Sequence, residues 1–285
     1  MRKISLFAFF VVLLASCGQQ SYQPSSLRLA TYNLHHCASP KTGVVEYDGI
    51  AAVLKEMNAD AVAIQELDSC TVRASEYQVK VLADRSGMKG LFCPTIPYGG
   101  GKYGIGMLYS KDLELKRTDS IRIPGQEPRA ALVAEFGGFV YICTHLCHKA
   151  DSNRVNGIRL INEYVEKAYG GGNLPVFLAG DLNDTAIDTP MGKELSASWT
   201  SLGVDEPTFH SSSHPKRIDF ILQYKFAGPQ ASSHTACIPA IPDPAGSGSD
   251  SGSGSGVASD SGAAPVLDLR TLSDHYPVLT DLQLR

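Results

Sequence analysis

Eight polar residues stand where apolar runs begin or stop, and their types suit the handling of an oxyanion or of a cation that would hold one. The plainest case is Leu178-Ala179-Gly180-Asp181-Leu182-Asn183-Asp184, where a strand-like run from Asn173 to Ala179 gives way to an acid and, two residues later, an amide. On a turn leaving a sheet, the acid can polarise a water and the amide can orient a bound oxygen; a strand-ending Asx turn would use the same residues. Asn33 lies near the end of Leu27 to Leu34, Glu66 near the end of Ala59 to Leu67, and His145 closes Tyr141 to Thr144. Asp219 opens an apolar run to Leu222, and Asp274-His275 precedes Tyr276 to Leu284. Gathered on one rim, four acids, two amides and two histidines would repel without a cation, because like charges raise one another's pKa. Oxygen donors without a Cys/His cluster favour magnesium, manganese or calcium over zinc.

Two further groups are candidates by type. Arg129 follows Glu127-Pro128 at a strand start, where a guanidinium can grip a phosphate through two hydrogen bonds or pair with a carboxylate. His35 and His36 are adjacent, so on a strand only one of them can face a site.

The elements that must position these groups follow from periodicity. Leu27 to Leu34, Ala59 to Leu67, Asn173 to Ala179 and Lys216 to Leu222 read as strands. Apolar residues at helical spacing predict helices over Tyr47 to Asn58, Glu76 to Ser86 and Ser152 to Ala168, the last capped by Asp151, with a short helix near Pro190 to Ser198. Ile105 to Ser110, Leu113 to Ile123, Ala130 to Phe136 and Phe139 to Thr144 read as successive strands of one antiparallel meander with a tight turn at Gly137-Gly138. Tyr98 to Gly104 lacks the phosphate-loop pattern; it reads as a hairpin, or as a rim segment bringing Tyr98, Lys102 or Tyr103 to a substrate. Val266 to Leu272 and Tyr276 to Leu284 have strand composition.

With 285 residues and 43% hydrophobic composition the chain can bury one large core, and its net charge of -4 gives no broad basic face for long polyanions. Residues 1–16 read as an export signal: Arg2 and Lys3 precede an apolar core, Ile4 to Leu14, too short to span a membrane. Leu14-Ala15-Ser16-Cys17 resembles the bacterial lipoprotein signal, in which the cysteine becomes the lipidated first residue. Residues 17–26 are then a tether, and 27–285 one domain interrupted by a flexible Gly/Ser loop at 245–264. The other six cysteines have no zinc-ligand spacing, and Cys143 with Cys147 are core residues or an optional disulfide pair.

Thr31-Tyr32-Asn33-Leu34-His35-His36, Gln65-Glu66, Glu127-Pro128-Arg129, Thr144-His145-Leu146, Gly180-Asp181-Leu182-Asn183, Pro207-Thr208-Phe209, Arg217-Ile218-Asp219-Phe220 and Ser273-Asp274-His275-Tyr276-Pro277 together resemble the endonuclease/exonuclease/phosphatase superfamily. They occur in its order, and the two-histidine pattern is closer to its deoxyribonuclease and sphingomyelinase branches. The resemblance implies an α/β fold, a four-layered sandwich of two packed, mostly antiparallel sheets flanked by helices, and a divalent-metal-dependent phosphodiesterase or phosphatase. It makes Asn33, Glu66 and Asp274 metal residues, Asp181 the acid that orients or deprotonates water, and Asn183 with Arg129 phosphate-binding residues. Asp219 fixes the tautomer of His275, while His145 and His275 stabilise the phosphate or protonate the leaving oxygen.

The expected cofactor is Mg2+ or Mn2+. The expected partners are a phosphoester substrate among nucleotides or nucleic acids, lipid headgroups and sugar or inositol phosphates, and a membrane reached through the lipid at Cys17. No segment calls for an obligate protein partner. The chain departs from the family pattern in lacking the second asparagine of Asn-x-Asn, a contact left absent or to His35 or His36, and no carboxylate partner of His145 is identifiable. A non-catalytic tethered binding protein of the same fold is the rival reading, against which stand both Asp181 and His275. A serine or thiol hydrolase would need a G-x-S-x-G elbow or a Cys-His signature that the chain lacks.

Overall fold

The computed structural model describes residues 24–211, 213–239 and 268–284. The export signal at 1–16, Cys17 with most of the tether, and the 245–264 loop lie outside the described residues. In chain order the elements are β1 (Ser26–Asn33), α1 (Tyr47–Met57), β2 (Ala61–Ser69), α2 (Gln78–Ser86), β3 (Lys89–Tyr98), β4 (Gly101–Tyr109), β5 (Leu115–Ile123), β6 (Arg129–Phe136) and β7 (Val140–His145). There follow α3 (Asp151–Tyr169), β8 (Val176–Asp181), α4 (Pro190–Ser198), β9 (Trp199–Ser201), β10 (Asp219–Tyr224), β11 (Ala231–Cys237), α5 (Leu269–Leu272) and β12 (Val278–Leu284).

Among the described residues the strands form two six-stranded sheets, ordered β11-β12-β1-β2-β4-β3 and β5-β6-β7-β8-β10-β9. Each sheet contains one parallel pair, β1 with β2 and β7 with β8. Each pair is joined by a helical crossover, α1 or α3, as a parallel connection requires. The inner faces interdigitate through Leu29, Ile105 and Met107 on one side and Leu132, Phe136, Tyr141 and Phe177 on the other. The Tyr141 hydroxyl crosses that core to donate to Ala30 O at 2.6 Å, since a buried hydroxyl needs a partner. Ile50, Val53 and Leu54 of α1 and Val79 and Leu82 of α2 cover the outside of the first sheet. Ile158, Ile161 and Val165 of α3 with Met191 of α4 cover the second. The result is the expected α/β sandwich of four layers.

Several local expectations change. β4 pairs with β2 and β3 in the first sheet, so the antiparallel meander comprises β5, β6 and β7 only. β3 and β11 add strands at sheet edges. Tyr98 to Gly104 is the hairpin joining β3 to β4, its turn made by Gly99 and Gly100 with φ of 50° and 82°, which glycine adopts freely. Leu269–Leu272 is a helical turn rather than strand. Asp151 is the first residue of α3 and its carboxylate pairs with Arg154, so it is not the side-chain cap. All six cysteines among the described residues are free.

Candidate active site

Strand register places the chemistry on one rim. In the second sheet His145 pairs with Asp181 across the parallel β7–β8 ladder, and Asp181 pairs with Asp219 across β8–β10. Gly180 makes this approach possible: its φ is 144°, and a Cβ there would lie 1.9 Å from Thr144 O. In the first sheet Asn33 ends β1 beside Gln65 of β2. Glu66 lies within β2, not at its end, because a bulge between Ile64 and Leu67 turns it out of the ladder with φ of 59°. His275 precedes β12, anchored by Tyr276 N donating to Thr208 O at 2.7 Å and by Ser273 Oγ, which donates to Asn33 O at 2.7 Å.

Asn33 is the junction. Its Nδ2 donates to Asp181 Oδ2 at 3.1 Å and to Glu66 Oε1 at 3.3 Å, and lies 3.4 Å from His275 Nε2. His275 Nδ1 meets Asp219 Oδ2 at 2.8 Å, and Nε2 faces Asp181 Oδ2 at 3.7 Å. Burial opposes charge on this ring and is the largest influence, yet the Asp219 carboxylate and its hydrogen bond, with Asp181 and Asp274 nearby, raise its pKa from 6.5 to about 10. His275 is therefore an imidazolium at neutral pH. Asp219 is held in turn by Thr208, whose hydroxyl donates to Oδ2 at 2.6 Å and accepts from the Ile218 and Asp219 amides at 3.1 Å each. Thr208 was legible only as part of Pro207-Thr208-Phe209.

His145 is the electrostatic opposite. Burial and the adjacent Arg129 charge push its pKa well below 6.5. Arg129 Nη1 lies 3.2 Å from His145 Nδ1. A guanidinium only donates, so Nδ1 must be the acceptor and Nε2 carries the proton. That Nε2–H faces Asp181 Oδ2 at 3.5 Å. The carboxylate that the sequence did not identify beside His145 is thus Asp181, while burial and the cation on the Nδ1 side keep the ring neutral. Arg129 also reaches Glu127 through Nη2 at 2.8 Å. Arg129 therefore pairs with a carboxylate, one of the two roles expected of it, and with its Nε–H buried without a hydrogen-bond partner it keeps donors for a phosphate. Asn183 is committed: its amide donates to Leu146 O at 2.9 Å and its backbone N–H donates to Asp181 Oδ1 at 2.8 Å.

Asp181, 2% exposed, is raised in pKa chiefly by burial, opposed by the His275 charge and reinforced by Asp219. A carboxylate so raised is a stronger base than a free one. Buried Arg154 fixes the loops on either side, donating to Cys147 O at 3.0 Å, to His148 O at 3.3 Å and to Asp184 at 3.3 Å. The cleft over these groups encloses about 440 Å³. Asp274, Lys216 and His148 line it, as do Tyr103 and Phe209; of the hairpin residues singled out, Tyr103 alone reaches it among the cleft-lining residues. Phe209 was legible only in Pro207-Thr208-Phe209 and Lys216 only as the start of a strand, while His148 carried no pattern in the sequence.

Asp181, Asp219 and His275 offer ligand atoms within 4.8 Å of one another, a set that omits Asn33, Glu66 and Asp274. A protonated His275 bonded to Asp219 has no lone pair for an ion, which makes that trio a proton-carrying network. Glu66 fits a cation better. Burial opposes its ionisation, but His36, Asn33 and the charged His275 hold its pKa well below the usual carboxylate range. Its Oε2 faces His36 Nδ1 across 3.7 Å, beyond hydrogen-bonding reach, and that nitrogen is buried without a hydrogen-bond partner. Glu66, with Asp274 on the same cleft, could hold a divalent ion, and Asn33, whose Nδ2 faces Glu66 and whose Oδ1 accepts from His35 N, could join them only through Oδ1.

The fold is shared with known proteins. The family model described as "Endonuclease/Exonuclease/phosphatase family" matches residues 30–275. The endonuclease/exonuclease/phosphatase structure from Beutenbergia cavernae superimposes with a TM-score of 0.66 at 18% identity, covering 92% of this chain and 72% of that one. A mannosyl-6-phosphatase from Bacteroides thetaiotaomicron gives 0.62 at 19% identity, with 90% and 99% covered. The human Nocturnin catalytic domain with bound sulfate gives 0.65 at 15%, with 93% and 96% covered. No curated protein matches the chain. With that match over residues 30–275, the chain belongs to the endonuclease/exonuclease/phosphatase family.

Proposed function

We propose that this protein hydrolyses phosphoester bonds with the help of a divalent ion, Mg2+ or Mn2+, held by Glu66 with Asn33 and Asp274. The observation that carries the reading is the continuous line Asp219, His275, Asp181, Asn33, Glu66, in which a fixed imidazolium, a buried base and a carboxylate suited to a cation meet at one amide. When bound, the ion supplies positive charge against the phosphoryl oxygens. Asp181, with its raised pKa, aligns the attacking water and takes its proton. His145, neutral and carrying its proton on Nε2, donates a hydrogen bond towards Asp181 or an equatorial oxygen. His275 holds the proton that can pass from Nε2 to the departing alkoxide, and Asp219 stabilises the charged ring before transfer. Lys216 and His148 line the cleft where they can meet further phosphate or headgroup oxygens.

Nucleotides, lipid headgroups and sugar or inositol phosphates all present the ester end that such a cleft would take. The mannosyl-6-phosphatase among the structural neighbours supports including sugar phosphates. No helix among the described residues is long and apolar enough to cross a membrane. The proposed membrane attachment is the lipid on Cys17, supported by Leu14-Ala15-Ser16-Cys17, and loss of palmitate labelling in Cys17→Ala tests it. A phosphate-release screen over these ester classes, with monoester and diester members of each, tests the activity. Turnover that disappears in Asp181→Asn supports it, and turnover unchanged by that substitution overturns it.

A further inference from the structure

We propose that His36 is a nitrogen ligand of the divalent ion at Glu66, an inference that rests on the metal-dependent reading above. Three observations converge on this one side chain. Its Nδ1 is buried and has no hydrogen-bond partner, which is costly for a polar atom unless something else meets it. It faces Glu66 Oε2 across 3.7 Å, too far for a hydrogen bond. Its backbone is held in an unusual conformation: His35, His36 and Cys37 all have positive φ, 46°, 46° and 60°, and Glu66 opposite has 59°.

Left-handed backbone is unfavourable for residues with a Cβ, and at four non-glycine positions it persists only where surrounding structure enforces it. That enforcement is visible. Leu34 N donates to Gln65 O at 3.1 Å, and Asn33 Oδ1 accepts from His35 N at 3.1 Å. Gln78, fully buried, donates through Nε2 to His36 O at 2.6 Å and accepts through Oε1 from Asp68 N at 2.8 Å. One amide side chain thus ties the His36 turn to the strand that carries Glu66, fixing imidazole and carboxylate before any ion arrives.

The structure also separates the two histidines. His35 Nδ1 is engaged with Ala38 O at 2.9 Å, where the carbonyl can only accept, so that nitrogen is protonated. His36 Nδ1, with no hydrogen-bond partner, is the one turned to the site. It fills, from one residue further along, the gap left by the absent second asparagine of the first motif. An imidazole among oxygen donors moves the preference of a site away from Mg2+ and Ca2+ towards Mn2+ and later first-row ions.

The test is pulsed paramagnetic resonance on the Mn2+-loaded protein, which detects 14N coupling from a directly bound imidazole whether or not a substrate is known. Wild type should show 14N coupling, and His36→Asn, which tolerates the left-handed backbone and offers oxygen in place of nitrogen, should lose it. His35→Gln should retain the coupling. Mn2+ affinity should fall at least ~10-fold in His36→Asn, the lower end of what loss of even an outer partner costs a metal site. Bound Mn2+ without 14N coupling in wild type, or coupling and affinity unchanged in folded His36→Asn, would overturn the role of His36 while leaving the metal-dependent reading intact. The wild-type spectrum needs no variant to fold. Failure of wild-type protein to bind Mn2+ at all would overturn both.

Discussion

Replacing Asp219 by Asn removes one charge and little volume, and its effect can be worked from the geometry. In the folded protein His275 titrates at about 10 against an ordinary 6.5, held up by the carboxylate 2.8 Å away against the pull of burial. Without that carboxylate, burial, the largest influence, is opposed by Asp181 and Asp274 alone, so the ring should titrate far lower, towards its ordinary 6.5 or below it. At 6.5 the protonated fraction at pH 8 would be roughly 3%, about 30-fold less of the active form. The alkaline limb of kcat/KM against pH should accordingly move down from near 10 towards 6.5 or below. Stability follows the same linkage: a histidine with a raised folded pKa contributes fully below pH 6.5, and the contribution is lost as pH rises through about 10. Denaturant titration of the variant should show a loss on the order of 3–5 kcal/mol at pH 6, consistent with breaking a buried pair, that shrinks towards pH 10. An alkaline limb that stays in place, with the fold intact, would refute the assignment of His275 as the charged donor.

Other consequences concern the remaining residues of the line. Asp181→Asn should abolish turnover yet raise the melting temperature above neutral pH: an acid whose pKa is raised by burial favours the fold below its unfolded value and opposes it as pH rises through the folded one. Equal or lower thermal stability than wild type at pH 8 would contradict the burial cost. Arg129→Met should raise the pKa of His145 without restoring it to 6.5, because burial, the larger influence, remains, and kcat should fall ~10²-fold with the lost orientation. A His145 NMR titration no higher in that variant than in wild type would deny Arg129 this role. Glu66→Gln should weaken Mn2+ binding, and raising Mn2+ should restore part of the rate; a rate defect that is indifferent to ion concentration would place Glu66 elsewhere in the chemistry.

Much of this site could be read from residue order because catalytic residues at strand ends leave a local mark, an apolar run broken by one polar group. Asp181, Asp219, His145 and Asn33 are of that kind, whereas the parallel pairs across α1 and α3 that help bring them together were not read from the sequence. Pairing between strands leaves no such mark, so β4 read as a neighbour of β5 although it lies in the other sheet. β3 contains Pro94 and Pro97, which argue against a strand, but it lies at a sheet edge where a missing N–H is tolerated. β11, also an edge, is mostly exposed and rich in serine, and has no apolar alternation to detect. Arg129 and His36 were legible only as alternatives, because the choice depends on which side chain lies opposite across the fold, His145 for one and Glu66 for the other.

Phosphate release by metal-stripped protein, measured on the ester panel before and after adding back Mn2+ or Mg2+, addresses the central claim most directly. The geometry at Glu66 predicts no turnover without ion, recovery with either ion, and no recovery in Asp181→Asn. Full turnover by wild-type protein from which all divalent ion has been verifiably removed would contradict it.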